Sequence, residues 1–168
     1  MAQMTAFSLL GLPEKFRLTA DDVQAAWKKA IALVHPDRFA GRPAAERRVA
    51  EQWAGRINEA RDALLSDVGR ATELLKLRGV DVQTETDTRM DPVFLMQQME
   101  WRERMDSADA VGRAALLSEV HDAGDGERQV LGASLDDAFD AEKARGAVRR
   151  LMFIEKMAAA LAGRTETI

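Results

Sequence analysis

The chain has 168 residues, of which 46% are hydrophobic and 31% are charged, a composition typical of a globular protein with one or two domains. It contains no cysteine, which excludes disulfides, thiol catalysis and thiolate metal sites. No apolar run is long enough to span a bilayer, and the N-terminus lacks the features of a secretory signal. We therefore expect a cytoplasmic protein.

The net charge of −4 is divided unevenly along the chain. Residues 1–79 carry 13 Lys and Arg against 10 Asp and Glu, a balance of +3, whereas residues 80–168 carry 11 against 18, a balance of −7. Such asymmetry indicates two modules with different partners. The acidic total argues against a general nucleic-acid binder, although it is still compatible with a local basic patch.

The N-terminal part predicts a short helical turn followed by a longer amphipathic helix. An apolar segment at residues 6–13 ends with Gly11 and Pro13, as expected for one helical turn packed on a core. Thr19 followed by Asp22 resembles a capping box and starts a helix over residues 20–34. The core candidates of these segments are Phe7, Leu10, Leu12, Val23, Trp27, Ala30, Ile31 and Val34.

Pro36 should end this helix, because proline disfavours the helical conformation of the residue before it. A second helix starts near Pro43 and keeps its period to about residue 66, so the two helices are expected to pack antiparallel. Asp67 can cap a third helix that stops at Gly79. Their apolar stripes are Val49, Trp53, Ile57, Ala60 and Leu64, then Ala71, Leu74 and Leu75.

The most distinctive local feature is the turn His35-Pro36-Asp37. Its neutral explanation is that Pro36 only terminates the helix, and that explanation is usual for an isolated tripeptide. Here Lys28 and Lys29 lie on the polar side of the preceding helix, so a basic face leads directly to an exposed turn. A solvated face would equally explain the two lysines on their own.

The acidic half starts with a polar, threonine-rich stretch at residues 80–90, which predicts a linker. Asp91 and Pro92 then suit the cap and the first position of a helix that extends to about Ser107. On a helical wheel its core candidates are Phe94, Gln98, Trp101 and Met105. The opposite side carries Leu95, Met96, Met99, Glu100 and Glu103.

Three apolar residues on the side away from the core have two explanations. A helix buried on both faces, or harmless exposure, would account for Leu95, Met96 and Met99 without any function. Exposed apolar groups rimmed by carboxylates are also typical of a partner-binding surface, and methionine is common at adaptable surfaces. This side of the helix is therefore a candidate interaction surface.

Residues 109–135 have an apolar pattern that fits either one helix or two. A helix is predicted from Asp109 through Leu116 and Val120, with Val111 and Ala115 assigned to its apolar stripe, and the apolar residues continue to residue 135. The glycines at positions 124 and 126 should weaken or break it. The sequence does not decide between one helix and two.

The last helix combines a clear apolar face with one aromatic residue on the other side. Gly163 is its expected stop. Phe153 lies opposite the apolar stripe, so we expect it to be exposed and to form a second candidate contact. If the three helices form a bundle, both outward patches can belong to one surface. The core candidates are Ala147, Val148, Leu151, Ile154, Ala158 and Leu161.

The N-terminal half resembles a J-domain over residues 4–77. The resemblance rests on the paired helices, the basic face before His35-Pro36-Asp37, Phe39 after it, and the run INEA at residues 57–60. J-domain proteins stimulate ATP hydrolysis by a DnaK-class chaperone, so the resemblance implies a co-chaperone and not an enzyme. We expect an all-α fold, with a J-domain helical hairpin over residues 1–79, the linker, and a C-terminal three-helix bundle over residues 91–168.

More narrowly, the chain resembles the HscB family of J-domain co-chaperones. The runs RATELL at residues 70–75 and FLMQQME at residues 94–100 carry this resemblance, and the glycine/phenylalanine-rich and zinc-ribbon segments of general J-proteins are absent. That family serves iron–sulfur cluster assembly with the chaperone HscA and the scaffold protein IscU, and the resemblance implies no cofactor and no metal. The chaperone-binding residues that it implies are His35, Pro36, Asp37, Lys28, Lys29 and Arg38. The scaffold-binding residues that it implies are Leu95, Met96, Met99, Glu100, Glu103 and Phe153.

Two features depart from the family pattern. Ser107 stands where the family tends to have another acid, and the glycines at 124 and 126 stand where the family tends to have a continuous helix. These departures bear on the extent of the acidic surface and on the rigidity of the bundle.

The two histidines do not support an enzyme. His35 has no Ser or Cys nucleophile and no glycine-rich phosphate loop beside it, and His121 lacks metal-ligand spacing. Two rivals to a co-chaperone remain: a passive helical adaptor, for which the His35 turn is dispensable, and a helical nucleic-acid-binding protein. The latter would contact phosphates with Lys28, Lys29, Arg38, Arg42, Arg47 and Arg48.

Overall fold

The computed structural model describes residues 4–82 and 90–163, and the regular structure in these ranges is entirely helical, which confirms the predicted all-α fold. The chain divides into two compact units, Met1–Leu77 and Arg78–Ile168. The helices of the first unit are α1 (Ala6–Leu10), α2 (Ala20–Ala32), α3 (Ala44–Leu65) and α4 (Asp67–Leu77), with a 3₁₀ turn at Pro36–Arg38. Those of the second unit are α5 (Pro92–Ser107), α6 (Ala110–Gly132) and α7 (Ala141–Leu161), with a π-helical segment at Ala133–Asp137.

The start of α2 is fixed by the predicted capping box. The Asp22 N–H donates to Thr19 Oγ1 at 3.0 Å, and the Thr19 N–H donates to the Asp22 carboxylate at 3.0 Å. This backbone hydrogen bond from Thr19 is the main cause that lowers the pKa of Asp22. A lowered pKa stabilises the folded chain above the ordinary pKa of aspartate, and that contribution is lost as the pH falls through the lowered value.

Helices α2 and α3 form the predicted antiparallel hairpin. Trp27 Nε1 donates to Asn58 Oδ1 at 2.9 Å, and the Arg61 guanidinium lies over the Trp27 ring, 4.5 Å from its centroid. At the other end of the hairpin Val34 and Val49 line the same groove. Because Trp27 contacts Asn58 whereas the later Val34 lies near the earlier Val49, the two helices run in opposite directions.

A buried arginine joins three segments of the first unit. Arg70 is 4% exposed, and its Nε donates to the Phe16 carbonyl at 2.5 Å. Its Nη1 donates to the Leu64 carbonyl at 2.7 Å, and its Nη2 donates to the Asp67 carboxylate at 2.6 Å. The guanidinium also lies over the Phe16 ring, 4.7 Å from the centroid. These partners satisfy a buried charge that would otherwise be costly.

The start of α4 differs in one detail from the sequence prediction. Ser66 provides the cap instead of Asp67, since the Gly69 N–H donates to Ser66 Oγ at 3.0 Å. Asp67 is already the first helical residue, and its carboxylate pairs with Arg70. Gly79 follows the helix in the left-handed conformation with φ of 76°, as the predicted stop requires.

In the second unit α6 packs along α7, and α5 packs against α6. The wheel prediction for α5 is confirmed, because Phe94, Gln98 and Trp101 are buried and Met105 is half-buried. The rings of Phe94 and Trp101 meet edge to face, with their centroids 6.2 Å apart. The main buried residues of the other two helices are Leu116, Val120, Leu131, Ala144, Ala147, Val148, Leu151, Ile154, Met157 and Leu161.

The glycines do not interrupt α6, which is one helix of 23 residues. Gly124 is buried, and a Cβ at this position would lie 3.3 Å from Ile154 Cγ2 on α7. The missing side chain therefore allows close approach of the two helices, and their packing outweighs the low helix propensity of glycine. Gly126 is exposed and has open space around it.

The predicted linker falls mostly on residues 83–89, which lie outside the described residues. The preceding Val82 belongs to the second unit and is buried there. Its carbonyl accepts a hydrogen bond from Arg149 Nη2 at 3.1 Å. The polar stretch therefore contains an apolar residue, Val82, that packs in the second unit.

Three residues that the sequence assigns to apolar stripes are exposed instead, namely Val49, Val111 and Ala115. Val49 is 51% exposed, because it lies near the connecting loop, where α2 no longer covers α3. Val111 is 79% exposed. At 100° per residue it lies about 140° away from Leu116 around α6, so it does not share the buried face.

We expect Arg70→Met to destabilise the first unit by about 3–5 kcal/mol, because removing one member of a buried ion pair leaves its partners without their charged donor. Urea unfolding followed by circular dichroism measures this change. Arg48→Met is the matched control, since Arg48 is exposed on α3 and its loss should cost no more than about 0.5 kcal/mol. Equal unfolding free energies of the two variants would contradict the role of Arg70.

The two glycines of α6 should respond differently to alanine. Gly126→Ala should raise the free energy of unfolding by up to about 1 kcal/mol, because the new methyl group meets nothing and alanine favours the helix. Gly124→Ala should give a smaller gain or a loss, because its Cβ crowds Ile154. Thermal unfolding of both variants compares them. A larger gain at position 124 would show that close helix approach is not its function.

Candidate functional site

The His35-Pro36-Asp37 turn lies in the loop that connects α2 to α3 and is held by local hydrogen bonds. The Arg38 N–H donates to the His35 carbonyl at 2.9 Å, and the Asp37 N–H donates to His35 Nδ1 at 3.3 Å. A neutral His35 that accepts through Nδ1 carries its proton on Nε2. The side chains of His35 and Asp37 are 54% and 94% exposed. The turn therefore presents a donor and a carboxylate to solvent.

Basic side chains precede and follow His35 along the chain. Lys28 and Lys29 lie in the second half of α2, Arg38 lies in the turn, and all three are exposed. Arg42, a member of the rival phosphate-contacting patch, forms an ion pair with Glu46 at 3.5 Å. Arg47 and Arg48 belong to the same phosphate-contacting patch; they lie on α3 and are exposed.

The second candidate surface lies on α5 and has the composition that the wheel predicted. Met96 is 72% exposed, Met99 is 65% exposed and Leu95 is 44% exposed. Glu100 and Glu103 are exposed beside them. With the exception of Leu95, these residues line a shallow groove of about 470 Å³. Apolar side chains of this size, exposed together beside carboxylates, are suited to noncovalent binding of a protein partner.

Arg104 and Ser107 are the polar neighbours of the two acidic residues on this surface. Glu100 Oε1 lies 3.7 Å from Arg104 Nη1, and the same guanidinium donates a hydrogen bond to Glu119 on α6. The hydroxyl of Ser107, where the resemblance implied an acid, donates to the Glu103 carbonyl at 3.1 Å. It turns back onto its own helix, so the acidic edge formed by Glu100 and Glu103 is not extended by Ser107.

Phe153 is half-buried rather than exposed, which corrects the expectation from the sequence. Its ring packs edge to face on Phe94, with centroids 5.8 Å apart, and Arg102 lies over it at 5.5 Å. Both neighbours belong to α5, which covers this side of α7. A wheel drawn for α7 alone cannot show that cover. Phe153 therefore supports the helix that carries Leu95 and Met96.

Sequence reasoning missed Val93, which is 74% exposed and lines the same groove as Met96 and Met99. The signal was available, because residues three apart on a helix lie near one another. Val93 extends the apolar surface of α5 by one turn towards its N-terminus.

The described residues contain no group of His, Cys, Asp and Glu side chains that could hold a metal ion. His121 is exposed on α6. None of the helices in the described ranges is both long enough and apolar enough to cross a bilayer.

Comparisons with known proteins agree with this description. Residues 90–162 match the model of the HSCB C-terminal oligomerisation domain. The co-chaperone protein HscB homolog of Bordetella avium is 49% identical over 164 residues, covering 96% of this chain and 98% of that protein. The homolog of Cupriavidus taiwanensis is 52% identical over 155 residues, covering 90% and 88% of the two chains.

Two solved structures resemble the whole fold. Chaperone HscB from Vibrio cholerae superposes with a TM-score of 0.83 at 30% identity, covering 95% of this chain and 96% of that one. The human co-chaperone protein HscB superposes with a TM-score of 0.89 at 24% identity, covering 100% and 85% of the two chains, and it supports the fold alone. High identity over nearly the full length of curated relatives identifies the chain as a member of the HscB family of co-chaperones.

Proposed function

We propose that this chain is a J-domain co-chaperone that stimulates ATP hydrolysis by a DnaK/HscA-class chaperone and delivers the iron–sulfur scaffold protein IscU to it in the cytoplasm. It acts by binding both proteins and catalyses no reaction of its own. The observation that carries the proposal is the exposed His35-Pro36-Asp37 turn with basic residues before and after it along the chain, in a protein that belongs to the HscB family. In this proposal residues 1–79 form the J-domain and residues 91–168 form the scaffold-binding bundle.

The turn would bind the chaperone by directional hydrogen bonds. The Asp37 carboxylate lies 3.6 Å from His35 Nδ1 but is 94% exposed, so it can accept from a basic residue of the ATPase, and charge-assisted bonds of this kind are short and strong. His35 can donate from Nε2 at the same time. Lys28, Lys29 and Arg38 would attract an acidic chaperone surface, which mainly raises the association rate and weakens at high salt.

The α5 surface would bind the scaffold mainly through its apolar side chains. Full burial of one Met or Leu side chain stabilises a complex by about 1.5–3 kcal/mol, and Met96 and Met99 begin largely exposed. Glu100 and Glu103 at the rim would orient the partner and affect the association rate. Phe153 contributes by holding α5 through its contact with Phe94.

Replacing His35 by glutamine should abolish stimulation of the chaperone ATPase while leaving helical content and melting temperature unchanged, because the side chain is exposed. Steady-state ATP hydrolysis by the HscA-class chaperone, with and without the scaffold, measures stimulation. His121→Gln is the matched control, since it makes the same change at an exposed position of the second unit. Normal stimulation by His35→Gln would refute the co-chaperone proposal.

A combined Leu95→Ala, Met96→Ala and Met99→Ala variant should lose scaffold affinity by about 100-fold or more, since roughly 3 kcal/mol of apolar burial disappears. Calorimetric titration with the scaffold measures the affinity. Phe153 is left intact because its ring packs on α5. Val111→Ala, a truncation of an exposed apolar residue on α6, should bind normally.

Thermal unfolding separates loss of binding from loss of folding in this experiment. The triple variant should melt close to the unmodified chain, whereas Trp101→Ala should lose about 3–5 kcal/mol of stability by opening a core cavity. Unchanged scaffold affinity of the triple variant, or a melting temperature as low as that of Trp101→Ala, would reject the assignment of this surface.

A further inference from the structure

Two methionines of α5 are more exposed than the other methionines of the described ranges. Met96 is 72% exposed and Met99 is 65% exposed, whereas Met4 in the first unit is 46% exposed and Met157 in the core of the second unit is 5% exposed. The other methionines whose surroundings the structure describes are half-buried. Met96 and Met99 are therefore the thioether side chains that a small solute reaches most easily.

The two methionines also lie together. They are three residues apart on α5, which places them side by side on the helix, and both line the groove of about 470 Å³. The chain contains no cysteine, so no thiol of its own competes with them for an oxidant. Exposure and composition therefore direct an oxidant to the surface that is assigned to the scaffold.

We propose that Met96 and Met99 are sites of reversible oxidation by hydrogen peroxide, and that their oxidation prevents scaffold binding. The inference rests on the proposed function, because it gives the regulation of the surface to which the scaffold is assigned. Methionine sulfoxide is polar where methionine is apolar, and this change disrupts methionine-rich interfaces.

The reaction is a transfer of one oxygen atom. The thioether sulfur donates an electron pair to one oxygen of the peroxide, so that an S–O bond forms and the O–O bond breaks. The released hydroxide takes the proton of the transferred oxygen and leaves as water. Sulfur is oxidised by two electrons and the peroxide is reduced by two. Thiol-dependent methionine sulfoxide reductases reverse the change, with one enzyme for each sulfoxide epimer.

The groove is poorly suited to a buried sulfoxide. A sulfoxide oxygen accepts hydrogen bonds, and burying such a group without a donor is unfavourable. Among the described residues that line the groove, Gln97 alone carries a side-chain donor, and its Nε2 atom is buried. Glu100 and Glu103 also line the groove and are acceptors when ionised. A partner that packs on apolar methionines therefore meets an unsatisfied polar group after oxidation.

The order in which the methionines oxidise tests the first half of the inference. Hydrogen peroxide in excess is added to the full chain, and peptide mass spectrometry follows the gain of one oxygen at each methionine. Met96 and Met99 should oxidise several-fold faster than Met157. Saturating scaffold should slow both of them several-fold and leave the rate at Met4 unchanged, which also shows that the peroxide is not depleted. Equal rates at Met96, Met99 and Met157 would overturn the proposal.

Calorimetric titration with untreated scaffold, after removal of the peroxide, tests the second half. Oxidation should weaken the affinity of the chain for the scaffold by about tenfold or more, since buried polar groups without partners are costly. The two reductases with dithiothreitol should restore the affinity. Circular dichroism should show unchanged helical content throughout.

Two variants assign the loss of affinity to the sulfur atoms of the groove. A combined Met96→Leu and Met99→Leu variant has no sulfur there, so the ratio of its affinities before and after peroxide should stay near one, whatever its starting affinity. Met4→Leu removes an exposed methionine outside the groove and should show the same loss after peroxide as the unmodified chain.

The outcomes distinguish this inference from the function on which it rests. If the untreated chain does not bind the scaffold, the proposed function fails and the inference fails with it. If the untreated chain binds but the chain with both sulfoxides binds equally tightly, only the redox inference fails. It fails as well if the combined leucine variant loses as much affinity after peroxide as the unmodified chain, because another residue is then responsible.

Discussion

The fold of the first unit depends on the hydrogen bonds that the buried Arg70 guanidinium makes. A buried guanidinium is stable only where several acceptors converge on it, and here the carbonyls of Phe16 and Leu64 and the carboxylate of Asp67 do so. These acceptors lie after α1, at the end of α3 and at the start of α4. The network thus fixes the end of the α2–α3 hairpin that lies away from the connecting loop. The His35-Pro36-Asp37 turn lies at the opposite end, where the chain is free of this constraint and can expose polar side chains.

In the second unit the two sides of α5 have different surroundings, one buried and one exposed. Phe94 and Trp101 on the inner side of α5 interlock edge to face, and Phe153 on α7 adds a further ring to the same cluster. Aromatic contacts of this kind restrict rotation of the helix as well as burying area. The outer side of α5 can therefore hold Met96 and Met99 in a defined position although neither takes part in the core.

Local patterns gave most of the fold, because caps and apolar periodicity depend on residues close in sequence. The capping box at Thr19 and the inward side of α5 were predictable for this reason. Contacts between helices were not. The continuity of α6 through Gly124 depends on Ile154, and the cover over Phe153 comes from α5. The groove beside the turn could not be predicted from the sequence. Helical spacing predicts an apolar stripe on α3, but it does not indicate where the facing helix α2 ends.

One constraint produces both the exposed turn and the groove. α2 ends at Ala32, and Pro36 prevents its continuation, while α3 begins only at Ala44 after a loop that passes Gly41 with φ of 80°. The first turns of α3 therefore extend beyond the end of α2 without a helix to cover them. A hairpin that presents His35 and Asp37 at its tip must consequently leave part of the α3 stripe uncovered. Val49 is exposed for the same geometric reason that the His35-Pro36-Asp37 turn is.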